Sequence, residues 1–343
     1  MLLVTHDRAA GVFVALKEGQ AAGTLHYRVR NDSVWDMFST QVPPRFEGQG
    51  IASALAKEAV SAAVAANVEI LPTCWFVAGW LDRHPDADSR ARDSDVVANR
   101  EHWDGVADQW VAAGERQWRS EPNWGLYGVP DSELRMLPES LAGLQTIELG
   151  CGTGYVSGWL ARRGAAAVGL DNSINQLRTA RRLGVTHASN VRWVHGNAER
   201  LPFADESFDF AVTEYGAVTW VDPQRWVPEA ARVLRSGGRL VVFGGTPWLN
   251  VCSPLNGDVA DRRLHRPYFG TSRIDWRAAE VDPGGVDFNL TTSGWFEIFS
   301  VNRFRVERYL ELQAPPEARD RSHVTGKWAH NYPAEHAWVL TRV

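Results

Sequence analysis

The stretch Glu148-Leu149-Gly150-Cys151-Gly152-Thr153-Gly154 decides how the larger part of this chain is interpreted. It joins a predicted strand over residues 146–149 to a predicted helix over residues 154–163. Glycines at such a turn permit a tight bend and close approach of a ligand to the backbone. The first amides of the helix then face that ligand. Asp171 ends the next predicted strand, at the offset where a carboxylate meets ribose hydroxyls in doubly wound folds. The stretch therefore predicts a cofactor-binding loop.

Two well-known fingerprints fail on these residues. The nicotinamide pattern G-x-G-x-x-G fits Gly150 and Gly152, but its last glycine falls on Tyr155. The P-loop needs G-K-[ST], and no such triplet follows. A glycine-rich turn without any ligand is disfavoured, because the strand–loop–helix context and Asp171 agree with each other.

Strands and helices alternate beyond the loop. The alternation predicts a mostly parallel sheet covered by helices on both faces. The predicted strands after the first are residues 167–171, 191–195, 208–213 and 239–243, with a final antiparallel pair at 303–312 and 337–343. The predicted helices are residues 96–120, 154–163, 173–183 and 223–234.

The pattern G-x-G-x-G, with Glu148 before it, resembles motif I of the class I S-adenosylmethionine-dependent methyltransferases. The resemblance covers residues 96–343. Three later segments are also similar to this family: residues 197–203, 208–217 (its motif IV) and 233–240, where Ser236 replaces a proline. The family implies a Rossmann-like α/β domain with a seven-stranded sheet, and S-adenosylmethionine as cofactor.

The resemblance implies a role for each matched position. Glu148 would contact the methionine amino group, and Asp171 would bind the ribose diol. Asn172 and Gln176 would neighbour the adenine or ribose. Asn197 stands where the family more often has Asp. With Ala198 it would meet the adenine edge, and the loop itself would pass under the carboxylate and ribose through Gly150, Cys151, Gly152, Thr153 and Gly154. No metal is implied.

Candidates for a general base follow the fourth strand or lie in an insertion. Glu214 and Tyr215 are at the carboxyl edge of the sheet, where ligands bind. The alternative interpretations are a solvated carboxylate for Glu214 and a packing role for Tyr215. His265 is a third candidate, and its alternative interpretation is a surface or structural histidine. It lies in one of two predicted lid insertions, near residues 244–294 and 313–336, which are rich in aromatic residues. They predict a small aromatic or hydrophobic acceptor.

The first 86 residues form a separate α+β unit. Strands are predicted at 12–16, 24–29, 34–42 and 68–71, with an Ala-rich helix at 50–66. Between a strand and that helix lies R-x-x-G-x-G, Arg45 to Gly50, which offers backbone amides to a pyrophosphate. It resembles motif A of the GCN5-related N-acetyltransferases, and the short unit is similar to their minimal, YjdJ-like subfamily.

That second resemblance implies acetyl-CoA as a ligand. Its contacts would come from Arg45, Gly48, Gln49, Gly50, Ile51 and Ala52. Cys74, in Pro72-Thr73-Cys74, would lie near the thioester as a catalytic or acyl-accepting thiol. The alternative is a small buried hydrophobe, because free cysteine is commonly buried.

Bulk properties limit the remaining classes. The length of 343 residues favours two domains, and the charged stretch at 87–95 predicts a linker. A net charge of -5 gives no bulk basic footprint, so no nucleic-acid partner is expected. Three scattered cysteines without CxxC spacing argue against a disulfide framework or a zinc site. No signal or membrane span is predicted, which favours the cytoplasm.

Three functions stay open from the sequence. The first is a bifunctional enzyme with active methyltransferase and acetyltransferase domains. The second is a methyltransferase whose first unit only senses CoA or acts as a scaffold. The third is a non-catalytic regulator that binds S-adenosylmethionine, which Glu148 and Asp171 disfavour.

Overall fold

The computed structural model describes residues 2–30, 34–66, 68–84, 89–277 and 284–343. The chain divides into two compact units. Unit 1 is Met1–Val97 with Phe269–Ser272, and unit 2 is Ala98–Tyr268 with Arg273–Val343. No described helix is both long and apolar enough to cross a bilayer.

The boundary between the units falls inside a helix and not in an irregular linker. Residues Ser89–Arg119 form one helix, so the stretch predicted as a linker is helical from Ser89 onward, and residues 87–88 lie outside the described residues. No proline or glycine occurs between Pro85 and Gly105, and polar residues are compatible with a solvated helix. The charged composition of this stretch therefore did not indicate irregular structure.

Unit 1 is a five-stranded sheet with helices packed on it. Its strands follow the order β1-β2-β3-β4-β5, antiparallel except for the parallel pair β4–β5. The predicted strands and the Ala-rich helix are confirmed, whereas β1 and α2 were not predicted. The elements are β1 Leu2–Asp7, β2 Val12–Lys17, β3 Gln20–Arg30, β4 Val34–Gln41, α1 Ile51–Ala65, β5 Glu69–Leu71 and α2 Trp75–Arg83.

The core of unit 1 lies between one face of this sheet and α1. Phe13, Leu25 and Met37 are fully buried on the sheet side. Leu55 and Ala59 of α1 meet them at helical spacing. Burial of one large apolar side chain contributes about 1.5–3 kcal/mol to stability, so this buried face is the main source of stability for such a small unit.

Unit 2 contains a seven-stranded sheet, as the sequence predicted. The strand order is β10-β9-β8-β11-β12-β16-β15, and only β16 runs antiparallel to the others. The elements up to the fourth strand of this sheet are α3 Ser89–Arg119, β6 Asn123–Trp124, β7 Val129–Pro130, α4 Asp131–Leu134, β8 Gln145–Leu149, α5 Tyr155–Arg162, β9 Ala166–Asp171, α6 Ile174–Thr186, β10 Val191–His195 and β11 Phe208–Glu214. The rest are α7 Ala217–Trp220, α8 Pro223–Val233, β12 Leu234–Gly245, α9 Pro247–Cys252, β13 Arg273–Asp275, β14 Val286–Phe288, α10 Thr292–Val301, β15 Phe304–Leu312, α11 Gly326–Asn331 and β16 Glu335–Arg342.

The strand order reverses direction at the middle of this sheet. The chain runs outward from β8 through β9 to β10 and then returns to β11 on the other side of β8. In open α/β sheets a ligand binds at such a switch point, beyond the carboxyl ends of the strands. Glu148, Asp171 and Glu214 lie at those ends. Because β16 is antiparallel, its first residue, Glu335, reaches the same edge beside Gly245.

The two predicted insertions contain short regular elements. The first holds α9 and the antiparallel pair β13–β14, and the second holds α11. Side chains of both contribute to one small core that includes Leu249, Val324 and Trp328. The insertions therefore pack together, which two independent lids would not do.

His336 predicts a measurable pH dependence of stability. It is fully buried, its ring nitrogens have no hydrogen-bond partner among the described residues, and burial lowers its pKa to about 3. Below pH 6.5 the unfolded chain binds a proton that the folded chain does not, so stability falls as the pH falls. We expect about 2 kcal/mol less from this group at pH 5 than above pH 6.5.

Urea denaturation of wild type and His336→Phe at pH 7 and pH 5 isolates this contribution. Glu148 and Glu335 act in the opposite direction, because burial raises the pKa of Glu148 to about 8 and that of Glu335 to about 7. Their contribution is shared by both proteins, so the pH dependence of the difference reports His336. An unchanged difference between the two pH values would contradict the prediction.

Candidate active site

The glycine loop adopts a backbone that other residues would strain. Gly150, Gly152 and Gly154 have φ values of 77°, 49° and 79°. A Cβ on Gly150 would lie 2.7 Å from the Cα of Gly216, and one on Gly154 would lie 2.3 Å from the Trp193 ring. Nothing lies within 4 Å of a Cβ built on Gly152. The loop is therefore held from below by backbone and aromatic contacts and is open at Gly152.

Asp171 is tied to the open part of the loop. Its Oδ2 accepts the amide of Gly152 at 2.7 Å, and its Oδ1 accepts the amide of Ser173 at 2.8 Å. Burial raises the pKa of this carboxyl, and the two amide bonds act against the increase. Asn172, beside it, accepts a hydrogen bond from His195 Nε2 on its carbonyl at 3.0 Å. The carboxylate predicted to bind a ribose thus lies directly against the glycine loop.

The other predicted adenine and ribose neighbours are also on this edge. Gln176, in the first turn of α6, is 3% exposed, and its Oε1 has no hydrogen-bond partner in the described structure. The Oδ1 of Asn197 accepts the amide of Glu199 at 3.0 Å, which leaves its amide nitrogen and the second lone pair of Oδ1 for an adenine edge. Ala198 is buried. The orphaned Gln176 oxygen is the clearest sign that a donor group belongs here.

Glu148 is held by the first turn of α5. Its Oε2 accepts two hydrogen bonds from Ser157, from the amide at 2.8 Å and from the hydroxyl at 2.6 Å. The residue is 2% exposed, and burial raises its pKa to about 8. Its carboxyl thus satisfies the first turn of α5, where helix amides lack partners, through one of its two oxygens. The contact with a methionine amino group stays a prediction.

Glu214 is hydrogen-bonded on both oxygens. Oε1 accepts the amide of Gly125 at 2.8 Å, and Oε2 accepts the hydroxyl of Tyr155 at 2.5 Å. Tyr155, the first residue of α5, is the residue that stands where the nicotinamide fingerprint requires its last glycine. Burial raises the pKa of the Glu214 carboxyl, and the Tyr155 and Gly125 bonds lower it. Glu214 is therefore a buried carboxyl, and the solvated alternative is excluded.

Tyr215 leads to a residue that the sequence did not reveal. Its hydroxyl donates to Oε1 of Glu335 at 2.7 Å, and the amide of Leu126 donates to the same oxygen at 2.7 Å. Glu335 is 2% exposed, and burial raises its pKa to about 7. Glu335 is 120 residues from Tyr215 in sequence, so only the antiparallel addition of β16 brings the two together.

Helix α3 contributes contacts that no motif predicted. Trp118 Nε1 donates to the carbonyl of Thr153 at 2.8 Å, and Gly114 lies so close to Thr153 that a Cβ would be 2.5 Å from its hydroxyl. Asp104 accepts the hydroxyl of Ser173 at 2.6 Å and the amide of Asn175 at 3.0 Å. The part of α3 in unit 2 therefore fixes both the glycine loop and the start of α6.

One predicted base, His265, lies apart from this group, whereas Cys151 lies within the loop. His265 pairs with Asp261 at 2.9 Å and lines an open groove formed by the insertions, with Arg263 and Ser322. The structure does not place it with Glu214 and Tyr215. The thiol of Cys151 is buried, which raises its pKa well above the usual value. This agrees with a backbone role for that position.

In unit 1, the predicted CoA loop has the required open backbone. Gly48 and Gly50 have φ values of 70° and 76°, and nothing lies within 4 Å of a Cβ built on either. Gly50 is the N-cap of α1 and gives it no side-chain cap. Ile51 and Ala52 form its first turn. Arg45 lies over the Phe46 ring, and Gln49 bonds the Arg45 carbonyl and Lys17.

Cys74 lies where two strands of unit 1 separate. The β4–β5 pairing ends at Asp36 and Leu71, while β4 continues to Gln41. Cys74 is 5% exposed, its amide donates to Met37 O at 2.8 Å, and its Sγ is 3.3 Å from Thr40 Oγ1. The thiol thus lies beside the part of β4 that β5 leaves uncovered.

Fold and site together define the class. A seven-stranded sheet with one antiparallel strand, a glycine loop at its switch point and a carboxylate after the next strand is the fold of an S-adenosylmethionine-dependent methyltransferase domain. Residues 147–242 match the family described as "Methyltransferase domain", and residues 12–90 match the "GCN5-related N-acetyl-transferase" family. The chain therefore carries a methyltransferase domain preceded by a GCN5-related N-acetyltransferase-like domain.

Curated relatives resemble one part of the chain. A demethylmenaquinone methyltransferase of Clavibacter sepedonicus is 38% identical over 102 residues, 30% of this chain and 41% of the relative. One from Corynebacterium kroppenstedtii is 35% identical over 123 residues, 36% of this chain and 51% of the relative. The chain thus spans about half or less of the length of these relatives.

A solved structure extends the likeness in fold. A putative S-adenosylmethionine-dependent methyltransferase from Listeria monocytogenes has a TM-score of 0.51 at 18% identity, covering 68% of this chain and 99% of that one. At this identity the likeness concerns the fold alone, and it extends beyond the segment that the curated relatives match.

Proposed function

We propose that unit 2 transfers a methyl group from S-adenosylmethionine to an oxygen, nitrogen or carbon nucleophile of a small aromatic or hydrophobic acceptor. The observation that carries this proposal is the crevice where Asp171 is bonded to the open part of the loop at Gly152. Tyr155 at the last glycine position of the nicotinamide fingerprint speaks against a dehydrogenase.

The residues present fit this cofactor. Gln176 offers a buried carbonyl oxygen without a partner, which suits a donor such as the adenine amino group. Above Gly152 there is room for a ligand to approach the backbone. The cofactor supplies a methyl group that is already activated on a sulfonium, so the protein's part is to orient and to exclude water.

The chain's own groups divide this work. Asp171 is the group for the ribose hydroxyls, and its two amide bonds fix the carboxylate before a ligand arrives. Glu214 and Tyr215 lie at the end of β11, which β8 separates from the strand of Asp171, and they are held by Tyr155 and Glu335. Fixed groups at this edge orient an acceptor, and well-oriented reactants gain on the order of 7–11 kcal/mol.

The acceptor class is supported by aromatic residues in the insertions. Trp248 and Tyr268 have ring centroids 5.2 Å apart, and Trp328 and Tyr332 have theirs at 5.3 Å. A relative named demethylmenaquinone methyltransferase is matched over only 41% of its length, so its name does not assign the acceptor of this chain. A search for products labelled from methyl-labelled cofactor, with the full chain in a small-molecule extract, tests this class.

Calorimetric titration with S-adenosylmethionine tests the cofactor. We expect binding by wild type and an affinity at least about a hundredfold weaker for Asp171→Ala, because two charge-assisted bonds to ribose hydroxyls together contribute at least about 3 kcal/mol. Asp108→Ala, which removes an exposed carboxylate from α3, serves as the control. Absence of binding at millimolar cofactor would refute the proposed function.

Unit 1 supports a second candidate, binding of acetyl-CoA. The supporting observations are the open glycine loop before α1 and the separation of β4 from β5 beside Cys74. Titration of the full chain with acetyl-CoA tests binding, and intact-mass measurement tests acylation of Cys74. Binding without turnover of amines favours a sensing module, and turnover favours a bifunctional enzyme. We expect Cys74→Ala to keep the binding, because the loop amides carry the pyrophosphate contacts.

A further inference from the structure

Four buried or half-buried carboxyls converge on the carboxyl edge of unit 2. We call them the acid cluster: Glu148, Asp171, Glu214 and Glu335. None of them forms an ion pair with another described residue. Buried charges are ordinarily paired, because an isolated carboxylate is costly away from water. The cluster therefore has a deficit of positive charge.

Neutral donors satisfy the cluster instead. Glu148 is bonded by Ser157, and Asp171 by backbone amides of Gly152 and Ser173. Glu214 and Glu335 each have one tyrosine hydroxyl and one amide of the turn at residues 125–126. Such bonds fix the orientation of the carboxyls but supply no positive charge to balance them.

The charged neighbours make the deficit clear. Glu148 is repelled by Glu214 and Asp171, and Glu335 is repelled by Glu214. Asp104 raises the pKa of Asp171 by repulsion, and His195 lowers it by attraction. Arg321 acts on Glu335 and lies over the Tyr127 ring, whose hydroxyl is shielded from solvent without a partner. Asp320, on the same segment, adds a further negative charge beside Tyr127.

Burial and repulsion move the whole cluster in one direction. They raise the pKa of Glu148 to about 8 and of Glu335 to about 7, and they raise the pKa of Asp171 and Glu214. At neutral pH the free protein therefore holds protons on this cluster, which titrates as a set. A cation placed at the edge would favour the charged forms and drive protons off.

A second feature at this edge points independently to a ligand. Gln176 is only 3% exposed, and its Oε1 has no hydrogen-bond partner in the described structure. It lies on the first turn of α6, directly after Asp171 and Ser173. A polar atom buried without a partner is rare in native structures, and a bound donor removes the cost.

We propose that the acid cluster recognises the positive charge of the methyl donor, losing a proton when the donor binds and regaining one when the methyl group leaves. This inference rests on the proposed function of unit 2. The donor carries one more positive charge than its demethylated product, and that difference is located on the sulfur. The cluster thus binds the donor more tightly than the product and favours product release.

The same linkage accounts for the proton of the acceptor. In the reaction the bond from sulfur to the methyl carbon breaks, its electron pair stays on sulfur, and a bond from the acceptor nucleophile to carbon forms. The nucleophile's proton goes to a carboxylate of the cluster, which the sulfonium no longer holds ionised. Charge is conserved in the site, and no water needs to enter to remove the proton.

Proton-linked titration tests the proposal without an acceptor. Full-length protein is titrated at pH 7 with S-adenosylmethionine, S-adenosylhomocysteine and sinefungin, in buffers that differ in ionisation enthalpy. Sinefungin carries a protonated amine where the donor carries the sulfonium. We expect about half a proton released with the two cations and about none with S-adenosylhomocysteine, together with an approximately tenfold preference for the cations, the equivalent of one pKa unit.

Isosteric variants assign the effect to the cluster. Glu214→Gln and Glu335→Gln are each expected to weaken donor binding about tenfold while changing product binding less than twofold. Glu307→Gln removes a solvent-accessible carboxylate from β15 and should change neither ligand. The pH dependence of wild type requires no variant: the preference for donor over product should change by about tenfold between pH 6 and pH 8.

The outcomes separate the two proposals. If neither ligand binds wild type, the proposed function fails. If donor and product bind equally and release equal numbers of protons, the charge recognition is overturned while S-adenosylmethionine binding stands. If Glu307→Gln lowers donor binding as much as Glu214→Gln, the effect belongs to net charge, and the cluster is likewise rejected.

Discussion

Replacing Gly150 by alanine is expected to destabilise unit 2 by about 3 kcal/mol and to abolish cofactor binding. Two costs combine. The residue has a φ of 77°, which costs an L-residue about 1–2 kcal/mol. The new Cβ would also lie 2.7 Å from the Cα of Gly216 and 2.8 Å from the amide nitrogen of Ala217. Both are backbone atoms that cannot rotate away, so the loop and the end of β11 must separate.

Two glycine variants divide these costs. Gly143→Ala has a φ of 78° with nothing within 4 Å of the Cβ, so it carries only the backbone cost. Gly152→Ala has a φ of 49° and also faces open space, but that space is where the ligand would lie. We expect Gly152→Ala to keep most of the stability and lose binding. Urea denaturation and calorimetry measure both, and equal stability of Gly150→Ala and Gly143→Ala would contradict the argument.

The sequence predicted the sheet of unit 2 because its information is local. A buried strand, a glycine loop and an amphipathic helix each occupy fewer than about 15 residues, within which periodicity is visible. The loop from Glu148 to Gly154 and the carboxylate Asp171 were therefore located correctly at one edge. The sequence did not predict some short elements. Strand β1 of unit 1 is one of them, because its residues Leu2–Asp7 are largely exposed and show no core face.

The part of the site that the sequence did not predict depends on distant pairing. Glu335 reaches Tyr215 only because β16 inserts antiparallel to β12, and no motif marks a first residue of a last strand. Tyr155 was read only as the residue that breaks a fingerprint, although it holds Glu214. A signal was available for Glu335: it lies two residues before the apolar run Ala337–Leu340, and a buried acidic residue is unusual unless it has a partner.

The location of His265 also depends on packing that the sequence did not predict. Its position in an aromatic insertion suggested a base, yet the chain folds that insertion against the second one, through Leu249 and Trp328. The histidine consequently faces Asp261 across a groove and not the strand ends. Insertion length indicates a function for the segment, but the direction of a side chain within it depends on packing that one sequence does not reveal.

Trp118→Ala is expected to cost about 4 kcal/mol of unfolding free energy and to loosen the glycine loop. The side chain is fully buried and fills the space above Gly158, where a Cβ would already lie 2.4 Å from the ring. Truncating a buried tryptophan typically costs about 3–5 kcal/mol, because a cavity remains. Glycine at 158 cannot fill that cavity, so collapse will be incomplete.

Trp118 also holds the loop through a single hydrogen bond, and a second variant separates this from packing. Its Nε1 donates to Thr153 O at 2.8 Å, and Thr153 precedes the last glycine of the loop. Trp118→Phe keeps an aromatic ring but leaves that carbonyl without its donor, at a cost of about 1–3 kcal/mol. Since the loop backbone is the cofactor cradle, we expect Trp118→Phe to weaken S-adenosylmethionine binding more than its stability loss implies. Trp110→Phe, on the exposed side of the same helix, should change neither quantity. Equal cofactor affinity in wild type and Trp118→Phe by calorimetry would show that α3 supports the fold of unit 2 without positioning its loop.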